Sequence, residues 1–402
     1  LTTCEDDPSD LTVSVVSWNL AEELVPEEDA TFIRQFRKTP NCREGEKDKG
    51  SDIVLISSQE CENIKPRRSE GHRSRELRRI MIKMLGKKYV PLAIHSLGGI
   101  QFGLFCKRSI LNDVEFVSVS DVTCGIGNVF HNKGAIAAFL QMKARDHKSE
   151  TGGDETKKTT SKARSIKMMF VTAHLAAHVK NVDARNADYW RIASELEAQA
   201  PSRFLTPRPT TDGDDESSGG SHLVDSVDRI FFCGDLNYRV DLPREIAEHT
   251  ISTMKRLQDA TPDKSSLDQL EKLRQDLLLH DQLRSVLAKG TAFPGFAEGK
   301  ITFMPTFKFD KDTNDYDTSK KQRIPAWTDR VLFKPLGTRV LEYACQEDCT
   351  HSDHRPVHAT FRVSMEGREI PKKRPKKGKN RRSRTSASTR PTSKKPTGSP
   401  GE

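Results

Sequence analysis

Nine residues near the middle of the chain, Phe231-Phe-Cys-Gly-Asp-Leu-Asn-Tyr-Arg239, restrict what it can fold into more than any other stretch. Ile230 to Cys233 are apolar at every position, the pattern of a strand buried on both faces. The run stops at Gly234 and delivers Asp235, Asn237, Tyr238 and Arg239. Glycine permits a turn or a close backbone approach, so Asp235 and Asn237 are expected to leave one rigid edge toward a common point. Taken alone, Gly-Asp-x-Asn reads equally well as an Asx-type turn between two elements.

The pattern recurs along the chain. Arg323-Ile-Pro-Ala-Trp-Thr-Asp-Arg330 runs straight into Val331-Leu332-Phe333, and His351-Ser-Asp-His-Arg-Pro-Val357 precedes a further alternating stretch. Apolar strands are predicted from Leu11 to Leu20, ending near Asn19, from Ile53 to Ile56, leading to Gln59 and Glu60, and from Lys167 to Ala173, leading to His174. Others are predicted over 101–106, 114–119 and 135–140, and Ile301 to Phe309 alternates while carrying Lys308. Helical spacing predicts helices over 75–85, 182–198, 243–257 and 267–287, the last closed by Gly290 as a C-cap. Strands interleaved with helices make an α/β protein. A carboxylate such as Glu60 at the end of an apolar strand must be hydrogen-bonded or bound to a cation.

With these clusters in view the chain resembles the inositol polyphosphate 5-phosphatases, a branch of the deoxyribonuclease I-like metal-dependent phosphoesterases. The two signatures, Phe232-Cys-Gly-Asp-Leu-Asn-Tyr-Arg239 and Arg323 to Arg330, are complete. Further stretches follow in the family's order: Ser17-Trp18-Asn19, Gln59-Glu60, Asn132-Lys133-Gly134, His174-Leu-Ala-Ala-His178 and Pro305-Thr-Phe-Lys308. The resemblance covers roughly residues 11 to 363 and implies one catalytic domain over 11–365. The implied fold is a four-layer α/β sandwich, two mixed β-sheets packed face to face with helices outside. The implied activity is Mg²⁺-dependent removal of the 5-phosphate from phosphatidylinositol 4,5-bisphosphate, phosphatidylinositol 3,4,5-trisphosphate or their soluble head groups.

Roles follow from that resemblance and from the chemistry of a phosphate monoester, whose hydrolysis needs a cation, a positioned water and help for the leaving alkoxide. Glu60 is the implied magnesium ligand, with Asn19 beside it and Asp353 as a further candidate; hard oxygen donors suit that ion. Asp235 is expected to orient and deprotonate water, and Asn237 to donate to the transition state. His354 is expected to pair with Asp329, which favours its imidazolium; His174 is an implied phosphate contact. Asn132 and Lys133, in a glycine-rich turn suited to an anion, are expected to bind substrate together with Tyr238, Arg239, Lys308, Arg323 and Arg330. Lys320 and Lys321 extend the basic loop. His174 and His178, four residues apart, are also the spacing of two metal ligands on one helical face. A sister-branch phosphodiesterase, acting on abasic DNA or sphingomyelin, and a catalytically inactive phosphoinositide-binding scaffold are the alternatives.

The formal charge of +9 looks like that of a nucleic-acid binder until it is located. Residues 367–402 hold thirteen Lys and Arg against two Glu, which leaves about −2 on the rest. No nucleic-acid partner is therefore expected. This Ser/Thr/Pro-rich basic tail reads as disordered, and is expected to hold the protein near an anionic membrane or to act as a nuclear signal. Segments 145–166 and 201–226 read as disordered inserts that lengthen surface loops and affect substrate access. Eight cysteines at irregular spacing suggest reduced, buried thiols in a cytoplasmic protein, although Cys345, Cys349 and His351 have the makings of a zinc cluster. No stretch approaches the roughly 20 apolar residues of a membrane span, and no signal peptide is visible. A soluble monomer, peripheral at membranes, is the expectation.

Overall fold

Continuous apolar runs dominate the centre of the chain because most strands here are covered on both sides. The computed structural model describes residues 9–37, 50–62, 71–125, 133–144, 165–205, 222–259 and 263–366. In chain order the regular elements are β1 Leu11–Asn19, β2 Ile53–Gln59, α1 His72–Leu85, β3 Tyr89–Leu97, β4 Ile100–Lys107, β5 Val114–Thr123, β6 Gly134–Lys143, β7 Ser165–His174 and α2 Val182–Gln199. There follow α3 His222–Ser226, β8 Arg229–Asp235, α4 Arg244–Asp259, α5 Lys264–Leu278, α6 Gln282–Lys289, β9 Ala297–Glu298, β10 Asp329–Phe333, β11 Thr338–Cys345 and β12 Val357–Val363. All lie in one compact unit, residues 1–367.

The strands form two six-stranded sheets, ordered β11-β12-β1-β2-β4-β3 and β5-β6-β7-β8-β10-β9. Each is mixed, with one parallel neighbour pair: β1 with β2, and β7 with β8. Their inner faces interdigitate through Val13, Val15, Leu55, Leu104, Ile136, Phe170, Phe231 and Phe361. Sheets packed this way need alternate residues on the opposite faces, and those meet helices here. Val171, Phe232 and Leu332 pack outward with Tyr189 and Ile192 of α2 and Leu283 of α6. On the other sheet Val16, Val54 and Ile56 pack outward with Leu77 and Met81 of α1 and with Phe36 of the 3₁₀ helix Asp29–Arg37. Helices α4 and α5 add Ile251, Met254 and Leu277 to the central core.

Three expectations about elements are corrected. The stretch 201–226, read as a disordered insert, is ordered at both described ends, where the 3₁₀ helix Ser202–Phe204 buries Phe204 and α3 buries Leu223 and Val224 in the outer core. The amphipathic stretch 267–287 is two helices, because Asp281 leaves the helical conformation (ψ 122°) and caps a new start by accepting from Arg284 N at 2.9 Å. Gly290 ends α6 in the left-handed conformation expected of a C-cap (φ 66°). Ile301 to Phe309 alternates like a strand yet is irregular: it forms only isolated bridges, Phe307 to Ala326 and to His354, and Phe309 to Tyr316. The six described cysteines are free, with Cys61, Cys106 and Cys233 buried. Cys349 turns its thiol to the Asp29 carbonyl, while His351 Nδ1 lies 3.1 Å from Asp312.

Candidate active site

Register brings the polar strand ends into line. Gly134 pairs with His174, His174 with Asp235, and Asp235 with Asp329, so four adjacent strands of one sheet present their chemistry in one row. In the other sheet Asn19 pairs with Gln59 at the matching ends of β1 and β2. Gly234 is required for this alignment: its φ is 137°, and a Cβ there would collide with the Ala173 carbonyl oxygen of the neighbouring strand.

Asp235 is the most heavily hydrogen-bonded carboxylate in the row. Oδ2 accepts from Asn19 Nδ2 at 2.9 Å and Asn237 Nδ2 at 3.2 Å and lies 3.2 Å from His174 Nε2, while Oδ1 accepts from Asn237 N at 3.0 Å. Burial alone would raise its pKa. The hydrogen bond and charge of His174, with His354 and Lys133 behind it, outweigh burial and hold Asp235 far below the carboxylate range. It is firmly ionised and fixed in direction. Asn237 is held at φ 59° by this pairing and by donating from Nδ2 to Leu175 O at 3.0 Å.

His354 and Asp329 form the second pair, with Nδ1 2.8 Å from Oδ2. Thr306 and Thr328 hydroxyls donate to the same oxygen at 3.1 and 2.9 Å and fix its direction. Burial works against the imidazolium, but Asp329, then Asp353 and Asp235, raise the His354 pKa to about 9. The ring is therefore protonated at neutral pH, and Nε2, 3.7 Å from Asp353 Oδ1 and beyond hydrogen-bond reach of it, can turn to the reacting group. Phe307 lies against the ring at 4.4 Å between centroids, and the Arg239 guanidinium covers Phe307 in turn.

Glu60 follows β2 in the left-handed conformation (φ 49°) and is over a third exposed, with Oε1 3.6 Å from His174 Nε2. Lys133 reaches the same His174 nitrogen. Among the described residues no group of three or more His, Cys, Asp or Glu forms a full metal cage. A lone open carboxylate among further oxygen donors fits a hard divalent ion that keeps most of its waters, and fits zinc poorly.

A family profile described as Endonuclease/Exonuclease/phosphatase family 2 matches residues 16–360. The chain belongs to that family. Among this member's relatives are the phosphatidylinositol 4,5-bisphosphate 5-phosphatase of Saccharomyces cerevisiae, 33% identical over 279 residues, and the type II inositol 1,4,5-trisphosphate 5-phosphatase of Mus musculus, 31% identical over 278. Each alignment takes in 69% of this chain and 23% of the relative, so the chain spans about a quarter of their length. The resemblance to inositol polyphosphate 5-phosphatases read from the motifs is thus matched. The inositol polyphosphate 5-phosphatase domain of a synaptojanin, solved with inositol (1,4)-bisphosphate and calcium, superposes with a TM-score of 0.61 at 27% identity, over 88% of this chain and 84% of that one. The fold is accordingly the deoxyribonuclease I-like four-layer sandwich. Cimex nitrophorin shares it at 20% identity and a TM-score of 0.58.

Within this family frame several expected site residues stand elsewhere. Tyr238 is buried on the outer side of the sheet, its hydroxyl donating to Asn186 Oδ1 at 2.7 Å, because the extended chain after Asn237 turns alternate residues away. Arg330 also faces away from the row. It is fully buried between Asp281 and Glu298, 3.0 and 2.6 Å away, and so serves the core rather than substrate. Asn19 is committed at both ends, its Oδ1 accepting from Ala21 N at 2.9 Å, which makes it a holder of Asp235 before a metal ligand. Asp353 is taken by Lys308 at 2.5 Å, so neither is a free group for metal or phosphate. Arg239 braces Asn237 from behind. Arg323 is half-buried at the start of its signature, with its backbone N donating to Asp317 at 2.8 Å, and Lys320 and Lys321 are exposed. Asn132 lies outside the described residues. His174 and His178 do not share a helical face: the first ends β7 and the second stands in a turn at φ 75°.

The sequence reading missed Thr306 and Thr328, which flank the His354 partner, and Asp188, which accepts from Ala176 N at 2.9 Å below the His174 loop. Buried threonines beside a charged motif are the available signal for the first two. Asp188 offered none, since an Asp within an amphipathic helix reads as a solvated residue.

Proposed function

We propose that this chain is a metal-dependent phosphatase that removes the 5-phosphate of phosphatidylinositol 4,5-bisphosphate, phosphatidylinositol 3,4,5-trisphosphate or soluble inositol polyphosphates. The observation that carries the reading is the convergence of an ionised Asp235 in the row of strand ends with a protonated His354, which comes from the other sheet and is held by Asp329 of that row, and with the open carboxylate of Glu60 nearby. Family membership and the 5-phosphatase relatives support the substrate class.

Glu60 would hold a divalent cation, magnesium by its donor set, which when bound neutralises phosphoryl oxygens. Asp235, locked by Asn19, His174 and Asn237, orients a water for in-line attack on phosphorus. Lys133 and His174, in contact with each other, stand beside it. His354 offers Nε2–H to the oxygen that gains charge as the P–O ester bond breaks, and its pairing with Asp329 lets it give up that proton to the leaving alkoxide and recover one from solvent. Arg323, Lys320 and Lys321 contact other ring phosphates. Water attack without a covalent intermediate inverts configuration at phosphorus. The basic tail, residues 367–402, holds the enzyme near anionic lipid, with a cytoplasmic location peripheral at membranes.

The deciding experiment measures phosphate release from 4,5-bisphosphate and 3,4,5-trisphosphate inositides, lipid and soluble, with Mg²⁺ or EDTA. Loss of the 5-phosphate that EDTA abolishes, and that Asp235→Asn lowers by about 10²- to 10⁴-fold, is the expected result. Silence on every inositide with cleavage of abasic DNA or sphingomyelin would place the chain with a different reaction. Head-group binding without turnover would make it a scaffold.

A further inference from the structure

The loops that leave β7 and β8, residues 175–180 and 236–240, carry the irregular backbone around His174 and Asp235, and such backbone must have its polar groups satisfied. One side chain does much of this. Arg185, in the first turns of α2, is fully buried; Nη1 donates to Ala176 O at 3.1 Å and His178 O at 2.7 Å, and Nη2 donates to Val179 O at 3.3 Å and Gln282 Oε1 at 2.6 Å. Among the described residues no carboxylate pairs with it. A guanidinium buried against neutral oxygens and the face of Tyr238, 5.0 Å away, is costly to place, so it is read as doing more than packing.

Gln282, the first residue of α6, continues the connection. Its Oε1 also accepts from Arg239 N at 3.0 Å, its Nε2 donates to Val179 O at 3.1 Å, and its backbone N donates to Arg239 O at 2.9 Å. Arg239 donates from Nε to Asn237 O at 3.1 Å, and Asn237 reaches both Asp235 and Leu175 O. An unbroken hydrogen-bonded path therefore joins the two loops from behind. Both contain a non-glycine residue in the left-handed region, His178 at φ 75° and Asn237 at φ 59°. Such conformations persist only where the surroundings over-determine them.

We propose that Arg185 and Gln282 are positioning residues: a buried clamp, apart from substrate and metal, that locks the loop after His174 against the loop after Asp235 and so sets the geometry of attack. The inference rests on the functional reading above. Its signature is a fall in turnover without a fall in substrate affinity, since the groups that bind ring phosphates lie on other elements.

The test uses the full chain carrying Gln282→Leu, which removes all three side-chain bonds, beside Gln282→Glu, which keeps both acceptor bonds. With soluble inositol 1,4,5-trisphosphate as the probe, kcat should fall about 10- to 100-fold in the leucine variant with KM within about twofold. Gln282→Glu should fall between it and the wild type. Amide hydrogen exchange should quicken in 175–180 and 236–240 and not elsewhere. If the leucine variant does not fold, Arg185→Lys, which keeps the charge but cannot reach four acceptors, is read by the same measures. Wild-type kcat, quickened loops with unchanged kcat, or exchange that quickens evenly across the domain would each overturn the clamp. Should the wild type release no phosphate from inositides, the functional reading fails, while loop exchange in the same variants still decides whether the clamp exists.

Discussion

Replacing Arg330 with Met distinguishes a core cation from a substrate-binding one. The guanidinium is fully buried, with Nη1 3.0 Å from both Asp281 oxygens and Nε and Nη2 each 2.6 Å from a Glu298 oxygen. Tyr343 also donates to Glu298 at 3.0 Å. Methionine fills much of the same volume but leaves two buried carboxylates facing each other without a cation. Removing one partner of a buried pair costs about 3–5 kcal/mol, and here the charge removed serves two acceptors, so the upper part of that range is expected. At roughly 2.1 cal/mol/K of unfolding entropy per residue, 1 kcal/mol shifts Tm of a domain of about 350 residues by about 1.3 °C, which puts the loss at about 5–7 °C. Thermal unfolding measures it directly. Adding Glu298→Gln to Arg330→Met should recover part of the loss, because one of the stranded charges is then gone. Below the lowered Tm, KM for an inositide should stay within about twofold. An unchanged Tm together with a tenfold higher KM would refute the argument and return Arg330 to the substrate.

Other outcomes can be checked on the same preparation. In Asp329→Asn the carboxylate that favours the His354 imidazolium is lost; kcat should fall about 10²- to 10⁴-fold, and the alkaline limb of the activity profile, expected near pH 9 in the wild type, should move down toward the ordinary histidine value. The sign is fixed by the raised folded pKa: the pair's contribution is full below pH 6.5 and is lost as pH rises through about 9. His358 behaves oppositely. Neither of its ring nitrogens has a hydrogen-bond partner, it packs edge-on to Phe36, and burial lowers its pKa to about 4. Its contribution is therefore present above pH 6.5 and drains away as pH falls to 4, about 3 kcal/mol in all. Urea unfolding at pH 7 and pH 4.5 should show His358→Phe with a markedly smaller acid loss than wild type; equal losses would remove His358 as the cause.

The strands and the placing of Asp235, His174, Asp329, His354 and Glu60 near one another were legible because each motif sits where an apolar run ends, and a strand end is a fixed place. What the sequence could not convey was direction. Tyr238 and Arg330 belong to the same signatures as Asn237 and Asp329 yet face the opposite side of the sheet, and alternation alone does not say which side holds the site. Asp281 reads as one more polar position in a long amphipathic stretch, and only its cap and its bond to Arg330 reveal the break between α5 and α6. Asp353 and Lys308 each carry a charge suited to the expected chemistry. Their mutual pairing depends on two loops separated by over forty residues meeting in space, which no local pattern records.

The row of paired residues across β6, β7 and β8 has a second end. Lys143 pairs with Ser165 there, nine positions along the ladder from His174, which at about 3.3 Å per residue is roughly 30 Å away. The chain enters the segment 145–164 from that remote end, and β8 likewise begins there, at Arg229, after the second insert. The described ends of the first insert, Lys143 and Ser165, thus lie far from the chemistry. One rim of the sandwich tolerates no slip, since a single step in register would turn Asp235 to the other face. The other can take on length cheaply, as doubling a flexible loop costs only about 0.6 kcal/mol. A reporter domain or an affinity handle placed between Lys143 and Ser165 should leave kcat unchanged, so this rim offers a place to tag the protein without touching the chemistry.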